Sequence, residues 1–200
     1  MVSCRVLLAS TLALAAPIAA QTSAQIVTTL TSLTTKSRAI LPDAQSISLV
    51  NGPLFIIGQG PIPKVINGFR DIVVTATNAL AADDRQPIAA GADSDAISTA
   101  FRTFVSAHQE VLNVLITKVE FFLPQVGTEP MVAILRQDEG VLDTLTFSLI
   151  DKVASRASDI TAAGNDLDKT LTAAINAFSN VLPTSKRSMR FARRDMVAVA

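Results

Sequence analysis

The chain has 200 residues, 49% of them hydrophobic and only 17% charged, with 17 basic residues balancing 17 acidic ones. It contains one histidine, one cysteine and no tryptophan or tyrosine, which removes most metal-ligand and nucleophile constellations at the outset. Between Gln21 and Leu182 there are 11 basic and 16 acidic residues, net −5, so the body lacks the basic face that nucleic acid would require.

The first 20 residues read as a secretory leader. Arg5 supplies the positive start, Val6 to Ala16 is a short apolar run, and Pro17-Ile18-Ala19-Ala20 ends in small residues, which places cleavage after Ala20. The run is too short to cross a bilayer, and every later apolar stretch is broken by charge, Gly or Pro, so no transmembrane anchor is expected. Cleavage would also remove Cys4, leaving a secreted domain held by its apolar core without disulfides.

Five segments then carry apolar residues at helical intervals. Ile26, Leu30, Leu33 and Ile40 form the first stripe, with Ser37 in the remaining stripe position, until Pro42 interrupts. The second opens at Pro61 and Pro63, tolerated in a first turn, and runs through Ile66, Phe69, Val73, Ala76 and Leu80. The third follows Asp93-Ser94 with Ile97, Phe101, Phe104, His108, Val111, Leu115 and Phe122. The fourth starts at Thr128-Glu129-Pro130 and aligns Met131, Leu135, Asp138, Leu142, Leu145 and Leu149. The fifth carries Ile160, Leu167, Leu171, Ile175 and Phe178 and ends near Pro183. An all-α fold follows: a single antiparallel bundle of about five helices over residues 21–182. Beyond it, residues 183–200 form a basic tail expected to be disordered, with dibasic pairs at Lys186-Arg187 and Arg193-Arg194.

Three connections differ in character. Residues 43–60 form a long apolar connection between the first two helices, in which Leu54, Phe55, Ile56 and Ile57 are consecutive between Asn51-Gly52-Pro53 and Gly58-Gln59-Gly60. Such a segment either covers the bundle or is itself an exposed surface strip that meets a ligand. Ala81 to Gly91, with Asp83, Asp84 and Pro87, reads as an exposed loop. Leu123 to Gly127 reads as a tight connection that would make the third and fourth helices antiparallel neighbours.

No catalytic motif emerges. There is no Gly-x-Ser-x-Gly elbow and no His-Glu-x-x-His pair, and Gly58-Gln59-Gly60 lacks the third glycine of a dinucleotide loop. Adjacent acidic pairs such as Asp83-Asp84 and Asp138-Glu139 should point apart, which gives little support to paired carboxylate catalysis. The residues imply neither a metal nor a cofactor. Two polar residues do fall on core stripes. A fold-back about the third connection sets His108 level with position 143, about 7.5 Å from Asp138 along the axis, so direct pairing is not expected. Either His108 faces an internal cavity and meets the polar head of a lipid, or it sits at the stripe edge on a backbone partner while Asp138 reaches solvent.

The leader, the absence of mature cysteine, the five-helix rhythm and the segments Ile116 to Phe122, Phe147 to Ile150 and Ala173 to Phe178 resemble the fungal hydrophobic surface-binding protein A family. The stretch from Gln45 through Val50-Asn51-Gly52-Pro53 to Gly58-Gln59-Gly60-Pro61 is similar to a branch of fungal ultraviolet-induced secreted proteins. The resemblance spans Gln21 to about Leu182. It implies a secreted or cell-wall-associated helical protein that adsorbs to hydrophobic surfaces, related to wall mannoproteins that hold fatty acids inside a bundle, with no catalytic residues to carry over. The chain departs from those mannoproteins in lacking a Ser/Thr-rich stalk and an anchor signal.

The function expected from the sequence is therefore non-enzymatic binding of fatty acids or hydrophobic surfaces, since burial of about 0.8 kcal/mol per methylene needs no special residue. The candidate cavity lining is Phe69, Val73, Phe101, Phe104, His108, Leu112, Leu115, Leu145 and Leu149. The alternative is a structural or effector protein that binds a wall or host protein through Leu54, Phe55, Ile56 and Ile57.

Overall fold

The computed structural model describes residues 22–122 and 128–180. The leader, the connection Leu123 to Gly127 and the basic tail lie outside the described residues, as does the side chain of Ile56. Within them the chain forms α1 (Ser23–Ser46), α2 (Pro61–Ala81), α3 (Ala92–Lys118), α4 (Glu129–Lys152) and α5 (Ala157–Asn180). A six-residue 3-10 helix, Gly52–Ile57, stands between α1 and α2.

The helix starts follow local chemistry. Thr22 and Gln25 close α1 reciprocally: the Gln25 N–H donates to Thr22 Oγ1 at 3.3 Å and the Thr22 N–H to Gln25 Oε1 at 2.8 Å. Pro61 opens α2, where its missing N–H costs nothing. Ser94 Oγ accepts from the Gly91 N–H at the start of α3.

Pro42, expected to end the first helix, lies inside α1, which continues to Ser46. The missing N–H removes one ladder bond, but Ala44 and Ile47 are fully buried just beyond it, and their burial draws the last turn onto the core. Asn51 then holds that end, its Nδ2 donating to the Ser46 carbonyl at 2.6 Å and its Oδ1 accepting the Ser48 N–H at 2.9 Å. The connection folds back on itself so closely that a Cβ at Gly60 would stand 3.0 Å from that of Leu54.

The helices close a ring: α1 packs on α2 and α3, α3 on α5, α5 on α4, and α4 on α2. They alternate in direction along the chain, as the contacts between ends show. Ser23 meets Asp93 where α1 and α3 begin, Lys64 meets Asp43 where α2 begins and α1 ends, and Phe122 meets Phe178 at the far ends of α3 and α5. The packed pairs α1/α3, α3/α5 and α2/α4 therefore run parallel. The expectation that the third and fourth helices are packed neighbours is overturned, because α5 packs against both and separates them. Two glycines allow close approach: a Cβ on Gly68 of α2 would stand 2.4 Å from Ile40 of α1, and one on Gly164 of α5 would stand 2.5 Å from Thr146 of α4.

Candidate functional site

The centre of the ring is filled by side chains. Phe69, Phe101, Phe104, Leu112 and Leu115 are fully buried there, and Val73 packs half-buried at the edge. Leu145 and Leu149 are also buried, but they line a narrow crevice between α1, α2 and α4 together with Ile26, Leu30 and Leu80. The crevice holds about 20 Å³, against the roughly 300–1,000 Å³ of ligand pockets. The nine residues singled out as cavity lining therefore pack as core, two of them reaching an opening too small for an acyl chain unless side chains part.

His108 sits in the middle of this core, where its environment differs from both alternatives drawn from the sequence. Its Nε2 lies 2.8 Å from Asp138 Oδ2 and its Nδ1 lies 3.0 Å from Ser37 Oγ, so three helices are joined through one imidazole. All three residues have no accessible surface. Phe69 and Phe104 flank the ring with centroids 5.5 and 5.4 Å away. Asp138 does not reach solvent, and its Oδ1 has no hydrogen-bond partner among the described residues. The pairing was hidden because its premise was a hairpin of α3 and α4. In the ring the two helices face each other across the centre instead. The signal for Ser37 was its place on the first stripe. Unlike Thr28, Thr31, Thr34 and Thr35, which donate back to carbonyls four residues earlier, Ser37 turns to another helix.

The wiring of Ser37, His108 and Asp138 resembles a hydrolytic triad. Chemically it lacks an oxyanion site, because Ser37 lies inside α1, where backbone N–H groups are committed to the helix ladder. As it stands the cluster is a buried hydrogen-bond network.

A second polar cluster marks the mouth of the crevice. Lys152, the next stripe position after Leu149, is 2% exposed, and its Nζ lies 2.8 Å from Asp83 and 2.6 Å from Asp84. The loop expected to be merely exposed is thus clamped to α4, also by the Ile88 N–H donating to the Lys152 carbonyl at 2.7 Å. Asp83 and Asp84 converge where they were expected to diverge, because each also accepts a backbone N–H two residues on, from Arg85 and Gln86, in tight turns. Burial opposes ionisation of Asp83, but hydrogen bonds from Lys152, Ser148 and the Arg85 backbone outweigh it and hold the carboxyl below its ordinary value. Burial likewise works against the Lys152 cation, and the two aspartates outweigh it and raise its pKa.

The connection before α2 divides into two parts. Ile47 is buried and Phe55 packs half-buried on the core, whereas Val50 is 90% exposed and Ile57 65%, with Leu49 and Leu54 exposed beside them. Of the predicted strip, Phe55 covers the bundle while Leu54 and Ile57 face solvent. Among the described residues no helix is long and apolar enough to cross a membrane, and no cluster of three His, Cys, Asp or Glu could hold a metal ion.

Fold and interior together define an all-α, five-helix bundle closed around a small polar centre. No protein-family model matches the chain, and no curated protein matches it. Among solved structures it is similar to Afmp4p in complex with palmitic acid, with a TM-score of 0.67 over 78% of this chain and 99% of that one, at 16% identity. The likeness establishes a related fold.

Proposed function

We propose that this chain is a secreted, non-enzymatic protein that binds single-chain lipids, fatty acids among them, or hydrophobic surfaces through its apolar helix faces. The observation that carries the reading is the crevice at the α1/α2/α4 seam, whose apolar walls continue into the core along Leu30 and Leu33 and along Leu149, Leu145 and Leu142. An acyl chain that parts this seam exchanges water for hydrocarbon at about 0.8 kcal/mol per methylene. The fold shared with a protein crystallised with palmitic acid supports it, and so does the resemblance to the hydrophobic surface-binding protein A family.

The exposed strip favours a second mode. Leu49, Val50, Leu54 and Ile57 form an apolar surface at the end of the bundle away from the crevice, suited to adsorption on a hydrophobic surface or to a wall or host protein. Titration of palmitate into residues 21–200, beside adsorption to wax, separates the modes. The core reading requires saturable palmitate binding that is unchanged by Ile57→Asp. The strip reading requires adsorption that Ile57→Asp abolishes. Absence of both overturns the proposal.

A further inference from the structure

The buried network leaves one polar atom unmatched. A carboxylate only accepts, so His108 Nε2–H donates to Asp138 Oδ2, and the tautomer that carries this proton leaves Nδ1 to accept from Ser37, which uses the donors of the cluster. What remains is an acceptor, Asp138 Oδ1, wholly buried and without a partner among the described residues. Such a group costs about 1–3 kcal/mol left unmade and gains most from a ligand that brings a donor.

The surroundings set the shape of that ligand. From Asp138, α4 carries Leu142, Leu145 and Leu149 buried at helical spacing, and Leu145 and Leu149 line the crevice. Eleven residues at 1.5 Å each give about 16 Å of apolar track, the reach of a mid-length alkyl chain. On α1, Ser37, Leu33, Leu30 and Ile26 are buried at helical spacing, and Leu30 and Ile26 line the crevice. At the mouth, Lys152 is satisfied by Asp83 and Asp84, so a head group gains little there. The adjoining surface groove carries Asp83 and Asp151 against Arg85 and Lys152, and with Asp84 beside Lys152 the rim is net acidic.

We propose that the bundle interior accepts a single-chain lipid with a hydroxyl head, chain toward the crevice and hydroxyl donating to Asp138 Oδ1, in preference to a fatty carboxylate. A carboxylate brings only acceptors and a charge to a site whose free atom is already a carboxyl oxygen, and it is far more costly to desolvate than a hydroxyl. The inference rests on the lipid-binding reading above and adds the head group. The hydroxyl can belong to a free long-chain alcohol or to a glycerol monoester.

The test uses residues 21–200, stripped of lipid, and three ligands of equal chain length: dodecan-1-ol, 1-dodecanoylglycerol and dodecanoate. Each displaces a fluorescent alkyl-chain probe at pH 7.5. Either hydroxyl ligand should bind about tenfold more tightly than dodecanoate, and the better of the two identifies the source. Asp138→Asn keeps an acceptor for His108 and puts an amide N–H where Oδ1 stands, so the preference should pass to dodecanoate. Ser37→Ala removes polarity without touching Oδ1 and should retain the preference for hydroxyl, which keeps the test decisive if the first variant fails to fold. Equal or tighter binding of dodecanoate by the unaltered protein overturns the head-group inference and leaves lipid binding standing. Binding of none of the three overturns both.

Discussion

Replacing His108 with Leu tests whether the central network is a coupled unit. The substitution leaves Asp138 buried with neither carboxyl oxygen partnered, since among the described residues Oδ1 has no partner and Oδ2 has only His108. Removing one member of a buried pair costs about 3–5 kcal/mol. Ser37 contributes little to that loss, because its hydroxyl can turn back to a carbonyl of its own helix, as the threonines of α1 do. Asp138→Leu leaves the His108 Nε2–H short of an acceptor, at about 1–3 kcal/mol. The double variant, His108→Leu with Asp138→Leu, replaces the pair by hydrocarbon of similar volume and should return to the stability of the unaltered protein or exceed it by about 1–4 kcal/mol. Because the chain has no tryptophan or tyrosine, unfolding is followed in urea by helical circular dichroism. At a slope of about 2 kcal/mol per M, His108→Leu lowers the midpoint by about 2 M. Single losses that simply add in the double variant would refute the coupling, since two residues in contact must show an interaction energy.

Two further outcomes follow from the packing and the clamp. Gly68→Ala forces a Cβ to within 2.4 Å of Ile40 and should destabilise the protein by about 1–3 kcal/mol, whereas Gly140→Ala meets nothing within 4 Å and should stabilise it by up to about 1 kcal/mol; thermal melts of the pair check the contrast. Lys152→Met removes the cation from between two aspartates and should cost about 2–4 kcal/mol at neutral pH. Asp83 has a lowered native pKa, so its contribution is present above 3.8 and lost as pH falls through the lowered value; Lys152 has a raised one, so its contribution is present below 10.5 and lost as pH rises through the raised value. Urea midpoints of the two proteins should therefore differ most between these limits and converge in acid, and a difference that persists unchanged at pH 2 would contradict the clamp.

Much of the fold is legible in the sequence because the stripes are long and their ends are marked. Pro61 and the Thr128-Glu129-Pro130 run fall at the starts of α2 and α4, and Asp93-Ser94 sits in the first turn of α3. Pro42 misled because a local rule was outweighed by burial of Ala44 and Ile47 beyond it. The candidate site was half legible. Ser37, His108 and Asp138 each stood out as polar residues on apolar stripes, and Lys152 occupies the next position on one. Their pairing was not, because it depends on which helices face one another, and short connections favour sequence neighbours where this bundle closes through α1/α3 and α3/α5. Asp83 and Asp84 are part of a loop by composition, and only the approach of Lys152 from α4 gives them a common target.

The central claim, that the bundle takes a lipid into its apolar interior, is tested most directly by native mass spectrometry of residues 21–200 after exchange against palmitate and dodecan-1-ol. The account predicts a one-to-one complex, lost when Leu145→Glu and Leu149→Glu charge the crevice wall and retained with Ile57→Asp at the exposed strip. Binding of many lipids per chain, or a complex unaffected by charging the crevice, would contradict it.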